Sequence, residues 1–583
     1  MERVLFATRE LPPLRPDVAE DVRRYDEWVR KREAVRCQSS DFPAPTRPLG
    51  VVMVVDDEPT PETAESLASL HAQTRREFLF TLTLRRSWRA ALTNILEASP
   101  LPPPFDLVVL DDATDFAQLL DRALGAVDGY DVALIYPGDV WAPDTVAQLS
   151  AALVGRGVAY ADEDCVASDG THFGPRLKPS FSPEFLLHAD YVGRPLAIAA
   201  DVVANLPPPA AGTLASREHD LALRACEVAP TVRHVAEVLC HRRVDRPHPS
   251  AEVANDRSHV NAALTRRKER AHTVHGPAQG PLRIQRMAEA IRSASIIIPF
   301  RDEPQFLRAC FDSIERTRKD VLPEYLLIDN GSQLPETATL LEQLDSRPDV
   351  RVLRDDRPFN WAALNNAAAV RATGDVLVFL NNDIEAVAPG WLDALCAQVE
   401  RTDVGVAGAR LVYPDHRVQH CGVVVGLGGA AGHLFVGLAD DRTGYLDMAV
   451  TTRECSAVTG ACLATRRSVF QDLGGFDESL GVDLNDIDYC LRMWDSGRRV
   501  IYESSAELVH HESPSRGTAG DVRDIVRFVV RWNGLILAGD PYLNSHLTRV
   551  DSSCALRDPG EEVWWQRWYA GLSDNTADPK ENA

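Results

Sequence analysis

Between residues 17 and 36, apolar side chains recur at Val18, Val22, Tyr25 and Val29, at spacings of four, three and four, with charges in between. That period lays one apolar stripe along a helix, and "DVAEDVRRYDEWVRKREAVR" is predicted to form one. The polar, proline-containing "CQSSDFPAPTRPLG" ends it. From "VVMVV" at Val51 the pattern changes to short apolar runs: "EFLFTLTL", "FDLVVLDD" and "YDVALIYPGD". Apolar strands alternating with helical patterns predict an α/β fold on a mostly parallel sheet.

The alternation stops between residues 246 and 292, where "DRPHPSAEVANDRS", a charged helical stretch around "HVNAALTRRKERAH" and "HGPAQGPLR" follow one another. This segment reads as an interdomain linker with one helix. A second series then repeats the first plan: "SASIIIPF", "EYLLIDNGS", "VRVLRDD" and "GDVLVFLNND". The chain therefore reads as a duplicated α/β unit. The expected divisions are a helical arm (1–48), a first α/β domain (49–245), the linker (246–292), a second α/β domain (293–540) and an extension (541–583) ending in the disordered "DNTADPKENA".

Composition narrows the function classes. Of 583 residues, 45% are hydrophobic, enough for several cores. The net charge of −23 argues against a protein that coats nucleic acid or an anionic membrane. Eleven cysteines without a Cys-x-x-Cys pair suggest neither a zinc site nor a disulfide framework, and fit reduced thiols in the cytoplasm. No run of about 18 apolar residues appears, and "MERVLFATRELPPLRPD" lacks a signal-peptide core. The expected location is cytoplasmic, at most peripheral on the inner face of a membrane.

Open parallel sheets bind ligands beyond the carboxyl ends of their strands. In the second half those ends are Pro299-Phe300-Arg301-Asp302, Asp329-Asn330-Gly331-Ser332 and Asn381-Asn382-Asp383. Asp329 suits either a turn cap or an acceptor for the imide N–H of uracil or thymine, a donor that cytosine lacks. The Asn381–Asp383 cluster suits a plain turn or a set of hard oxygen ligands for a divalent cation.

Seven stretches of the second half, in order, carry a specific likeness: "SIIIPFRDEPQFLRACFDSI", "LLIDNGS", "PFNWAALNNAAAVRATGDVLVFLNNDIEAVAPGW", "GVAGARLVYPDHRVQHCGVVVGLGGAAGH", "SAVTGACLATRRSVFQDLGGFDE", "LNDIDYCLRMWDSGRRV" and "AELVHHESPSRG". From about Ser295 to Ser515 the chain resembles a family 2 glycosyltransferase of the GT-A fold, inverting, of the tandem type that builds bacterial surface polysaccharides (O-antigen or rhamnan-like). The resemblance implies transfer of a sugar from a UDP- or dTDP-linked donor to a hydroxyl of a glycan or lipid-linked acceptor, with Mn²⁺ or Mg²⁺.

Position by position, the resemblance places Asp383 at the last acid of the family's Asp-x-Asp metal motif, with Asn381 in place of the first. His510 falls on the family's metal-binding histidine, with His511 its rival one residue on. Asp486 falls on the base position, and Asn485 stands where the family often has Glu. Asp488, two residues on, lies on another helix face and is expected to be structural. Pro299, Phe300, Arg301, Asp329, Asn360, Asn365, Asn381 and Asn382 would line the nucleotide sugar, with Asn366 beside them. Thr459, Gly460, Phe476 and Asp477 resemble the acceptor-side loops. The glycine-rich "VVVGLGGAAGH" is expected to be a mobile flap.

The first half resembles the same family in outline only. Asp139, Glu218 and His241 would match its acids and histidine, but "EFLFTLTLRRS" has no acidic rim and the fourth strand ends on "YPGD". It is expected to be a degenerate domain that scaffolds or binds acceptor glycan. A bifunctional enzyme with both halves active and a glycan-binding pseudoenzyme remain alternatives. A nucleotidyltransferase would need a glycine-rich loop after its first strand, and "PFRDEP" is not one.

Overall fold

The computed structural model describes residues 18–558, apart from 39–41, 44, 46, 56–57, 99–104, 113–115, 154–156, 211–213, 244–256, 275–280, 292 and 513–520. The chain forms two compact units, Arg15–Lys268 and a second that begins at Glu269.

The first unit is built on β1 (Leu49–Val55), β2 (Phe78–Arg85), β3 (Phe105–Leu110), β4 (Asp131–Ile135), β5 (Asp139–Trp141), β6 (Val158–Val166), β7 (His172–Arg176), β8 (Leu196–Ile198) and β9 (Val232–Arg243). Their order is β3-β2-β1-β4-β8-β6-β9-β5, with β7 on β6. Strands β3 to β4 run parallel, β8 enters antiparallel between β4 and β6, and β9 returns parallel to β6. The helix Val18–Arg36 forms as its periodicity predicts and docks on this sheet. Tyr25 donates to Asp164, and Arg32 and Arg36 pair with Glu237. Within the stretch expected to be a linker, the helix Ser258–Arg266 joins the same unit, Arg266 pairing with Glu227.

The second unit opens with a hairpin, β10 (Ala271–Val274) and β11 (Arg283–Arg286). Its main strands are β12 (Ser293–Phe300), β13 (Leu322–Asp329), β14 (Val350–Arg354), β15 (Val376–Leu380), β16 (Ile384–Ala386), β17 (Val404–Val412) and β18 (Val418–His420). A second hairpin, β19 (Val423–Val425) and β20 (Ala431–His433), precedes β21 (Arg453–Glu454), β22 (Cys462–Arg466) and β23 (Arg499–His510). The sheet order is β14-β13-β12-β15-β22-β17-β23-β16. Strand for strand this repeats the first unit, with the same parallel and antiparallel neighbours.

The continuous apolar runs follow from burial on both faces of the sheet. All five residues of β15 are buried, as are Ile296 and Ile298 of β12. Helix Pro304–Thr317 supplies Leu307, Cys310, Phe311 and Ile314, one stripe at helical spacing. Because β12 lies between β13 and β15 and runs parallel to both, their carboxyl ends share one rim. Asp329 ends β13, opposite Phe300, and the Asn381–Asp383 turn follows β15.

The glycine-rich segment differs from the expected loose flap. Gly426, Gly428 and Gly429 take φ of 86°, 65° and 117°, a turn that side chains with a Cβ rarely adopt. The valines of β19 are buried, and residues beyond 539 hold the hairpin down. Asp540 accepts from the Val425 N–H at 2.7 Å, and the Arg549 carbonyl from Gly428 at 2.9 Å.

Candidate active site

Strand β16 turns back against β23 so that Ile384 pairs with His510, which sets Asp383 beside that histidine. Nε2 of His510 lies 3.2 Å from a carboxylate oxygen of Asp383. Its other nitrogen, Nδ1, donates to the Gln419 side-chain carbonyl at 2.6 Å. With Nδ1 carrying a hydrogen, a neutral ring presents a lone pair at Nε2, facing a carboxylate. Two acceptors at that distance require a proton or a metal ion between them. A carboxylate oxygen and an imidazole nitrogen, the latter oriented by a carbonyl, form a fitting donor pair for a divalent ion. His511, its rival, donates from Nε2 to Glu385 at 2.8 Å, and its backbone N–H donates to the Asp383 carbonyl at 3.0 Å. Asn381 and Asn382 do form a turn, and that same turn carries Asp383.

Asp486 stands in the first turn of helix Asn485–Asp495, where the partial positive charge of the helix end favours a carboxylate. One oxygen accepts from the Ile487 N–H at 2.8 Å and the other from Gly460 N–H at 2.6 Å. These bonds fix its orientation. A Cβ at Gly460 would lie 2.8 Å from the Trp361 ring and 3.3 Å from the Asp486 Cβ, so the approach needs glycine. Asp488 is sealed by Arg492, Arg531 and Trp532, the structural role expected of it.

His420, His433 and Gln419, which sequence reasoning did not single out, gather around this centre. His433 at the end of β20 donates from Nδ1 to the Gln419 backbone carbonyl at 3.2 Å. Burial holds its pKa below the ordinary value, against an opposing pull from that carbonyl and from Asp486. The His420 ring lies 4.7 Å from it, fully buried, with its pKa pushed well down by burial.

On the nucleotide side the structure redistributes the expected roles. Both oxygens of Asp329 are engaged, one by the Ser332 N–H at 2.8 Å and one by Arg354 at 2.5 Å. Arg354 is half-exposed and pairs with the buried Asp329. Phe300 is buried, and Arg301 stands exposed at the rim. Asn360 caps helix Trp361–Ala369 and donates to the Glu478 carbonyl, while Asn366 clasps the backbone of Phe476. Asn365 is buried and donates to the Trp361 carbonyl. Asn360 and Asn366 staple the helix to the 476–478 loop, while Asn365 bonds within its own helix.

The acceptor-side set is likewise divided. Thr459 and Gly460 lie beside Asp486. Phe476 is instead a core residue, packed against Trp361, Phe379 and Tyr489 at 4.7–5.0 Å between ring centres. Asp477 pairs with Arg531 at 2.8 Å.

The first unit has the corresponding residues in other company. Val140 pairs with His241 as Ile384 does with His510, so Asp139 and His241 hold the places of Asp383 and His510. His241 donates from Nδ1 to Asp164 at 2.6 Å and from Nε2 to Glu33 at 2.8 Å. Burial alone would lower its pKa, but Asp164 outweighs it and raises the ring to about 10. Asp164, His172 and His241 also lie within 4.8 Å of one another.

Residues 295–474 match the family model "Glycosyl transferase family 2", and 406–576 match "Glycosyl transferase family group 2". The chain is similar to the O-antigen biosynthesis protein RfbC of Myxococcus xanthus, 33% identical over 96% of this chain and 45% of that protein. It is also similar to the uncharacterized protein y4gI of Sinorhizobium fredii, 32% identical over 91% of this chain and 61% of that protein. The chain thus spans less than two thirds of either relative. Among solved structures, GalNAc-T7 with UDP, GalNAc and Mn²⁺ aligns over 42% of this chain and 48% of its own, with 18% identity and a TM-score of 0.35. Both family-model matches fall within residues 295–576, in the second unit, which is the part of the chain that is similar to glycosyl transferase family 2.

Proposed function

We propose that the second unit is an inverting, metal-dependent glycosyltransferase that moves a sugar from a UDP- or dTDP-linked donor to a hydroxyl of a glycan or lipid-linked glycan. The observation that carries this reading is the pairing of Asp383 with Nε2 of His510, its ring oriented by Gln419, within a family 2 domain whose helix start presents Asp486. A divalent ion held by Asp383 and His510 would neutralise charge on the departing nucleoside diphosphate. Asp486 takes the proton of the acceptor hydroxyl as its oxygen attacks the anomeric carbon. The C–O bond to the diphosphate breaks on the opposite face, so configuration inverts.

The likeness to a protein named for O-antigen biosynthesis supports a surface-polysaccharide acceptor. Among the described residues no helix is long and apolar enough to cross a membrane. We infer that a lipid-linked acceptor would be met by peripheral association at the inner face. The test is transfer from a panel of UDP- and dTDP-sugars with Mn²⁺ to lipid-linked and soluble glycans. Inverted anomeric configuration in the product is expected; a retained one sinks the mechanism.

Gly460→Ala tests the positioning of the base. The added methyl meets Trp361 and Asp486, and overpacking of this kind costs about 1–3 kcal/mol. A lower melting temperature is expected, with kcat reduced and the donor Kd within a few fold of wild type. An unchanged kcat would show that the backbone contact does not position Asp486.

A further inference from the structure

In the first unit, Arg194 lies two residues before β8, as Gly460 lies two residues before β22. Its guanidinium donates to Asp139 at 2.9 Å and forks onto both oxygens of Glu218. It also stacks on the Tyr136 ring, 3.8 Å from the ring centre. The second oxygen of Asp139 accepts from the Tyr136 N–H at 3.1 Å. Asp139 and Glu218 are the two acids that match the metal and base positions of the family, and one arginine joins them. The side chain is 13% exposed, so the pairing is shielded from solvent. A bidentate, buried guanidinium is a fixed positive charge that cannot be lost by deprotonation.

An independent contact closes the third position. Both nitrogens of His241 lie within hydrogen-bond reach of carboxylates, Asp164 at 2.6 Å and Glu33 at 2.8 Å, so the ring is held by side chains of its own unit. Glu33 comes from helix Val18–Arg36, whose Tyr25 also donates to Asp164 at 2.9 Å. The residue types of a cation site are present, but Arg194 fills the space between Asp139 and Glu218, and the triad Asp164, His172 and His241 is already bonded to Tyr25 and Glu33.

We propose that Arg194 is a built-in cation that takes the place of the divalent ion in the first unit, so this unit binds neither Mn²⁺ nor the diphosphate of a nucleotide sugar. The inference deepens the proposed function and rests on it for the second unit, where the single ion would sit at Asp383 and His510.

The test counts Mn²⁺ bound per full-length chain in the presence of UDP, by electron paramagnetic resonance of the unbound ion. One ion is expected in wild type and none in Asp383→Ala. Two ions in wild type, or one ion that survives Asp383→Ala and disappears in Asp139→Asn, overturns the inference. No ion in wild type removes the metal reading of the second unit and agrees with the inference for the first, so the two fail separately. Arg194→Gln, with the charge removed, should gain a second and weaker Mn²⁺ site, and Arg194→Lys should not. A folded Arg194→Gln chain binding no more Mn²⁺ than wild type overturns the role given to the guanidinium. Should that variant not fold, the counts in wild type and Asp383→Ala still decide.

Discussion

Asp486→Asn is expected to lower kcat by about 10²–10⁴-fold, the range a general base contributes, while the donor Kd stays within a few fold. Asparagine keeps the shape of the side chain and cannot take a proton. It also turns an NH₂ toward one of two N–H donors, Gly460 or Ile487, so one hydrogen bond is lost. That loss costs about 0.5–1.5 kcal/mol and shows as a modest drop in melting temperature. Comparing kcat with melting temperature separates the chemical effect from the structural one. A wild-type rate would pass the role to Asp483, because Asp488 is closed off by Arg492, Arg531 and Trp532.

Asp486 was singled out by its likeness to the family's base motif, whereas Asp329 and Asp383 were legible at strand ends, because strand ends are local patterns and the repeat of strand–helix pairs indicates which ends share a rim. What the sequence hid was the partner of each polar group. Asn360 and Asn366 look like ligand-binding amides until residues 110–118 positions away supply the carbonyls and N–H groups that engage them. Phe476, beside an acid in a glycine-rich stretch, looks exposed, yet it closes an aromatic cluster drawn from four other segments. The hairpin at residues 423–433 advertises flexible glycines, whereas nothing local shows that the segment from Asp540 to Arg549 covers it. Arg194 was hidden for the same reason. Asp139 and Glu218 matched a family pattern, but only the fold reveals that one guanidinium joins them.

Removal of the metal should have the largest effect of all. With a chelator, transfer is expected to fall to background and to return with Mn²⁺ or Mg²⁺. Asp383→Ala should abolish it at any metal concentration and weaken donor binding too, since one substitution removes the hard ligand and leaves Nε2 of His510 without its carboxylate. Gln419→Leu grades the argument. It removes no proposed ligand, but it frees the ring that Nδ1–H anchors, and loss of such an orienting partner typically costs 10–100-fold in metal affinity or activity. Extra Mn²⁺ should rescue Gln419→Leu in part and Asp383→Ala not at all. His511→Ala, whose ring donates to Glu385, should stay close to wild type. Full activity in chelator would reduce Asn381-Asn382-Asp383 to a turn between β15 and β16. If His511→Ala fails while His510→Ala works, the imidazole assignment moves by one residue and the orientation by Gln419 loses its meaning.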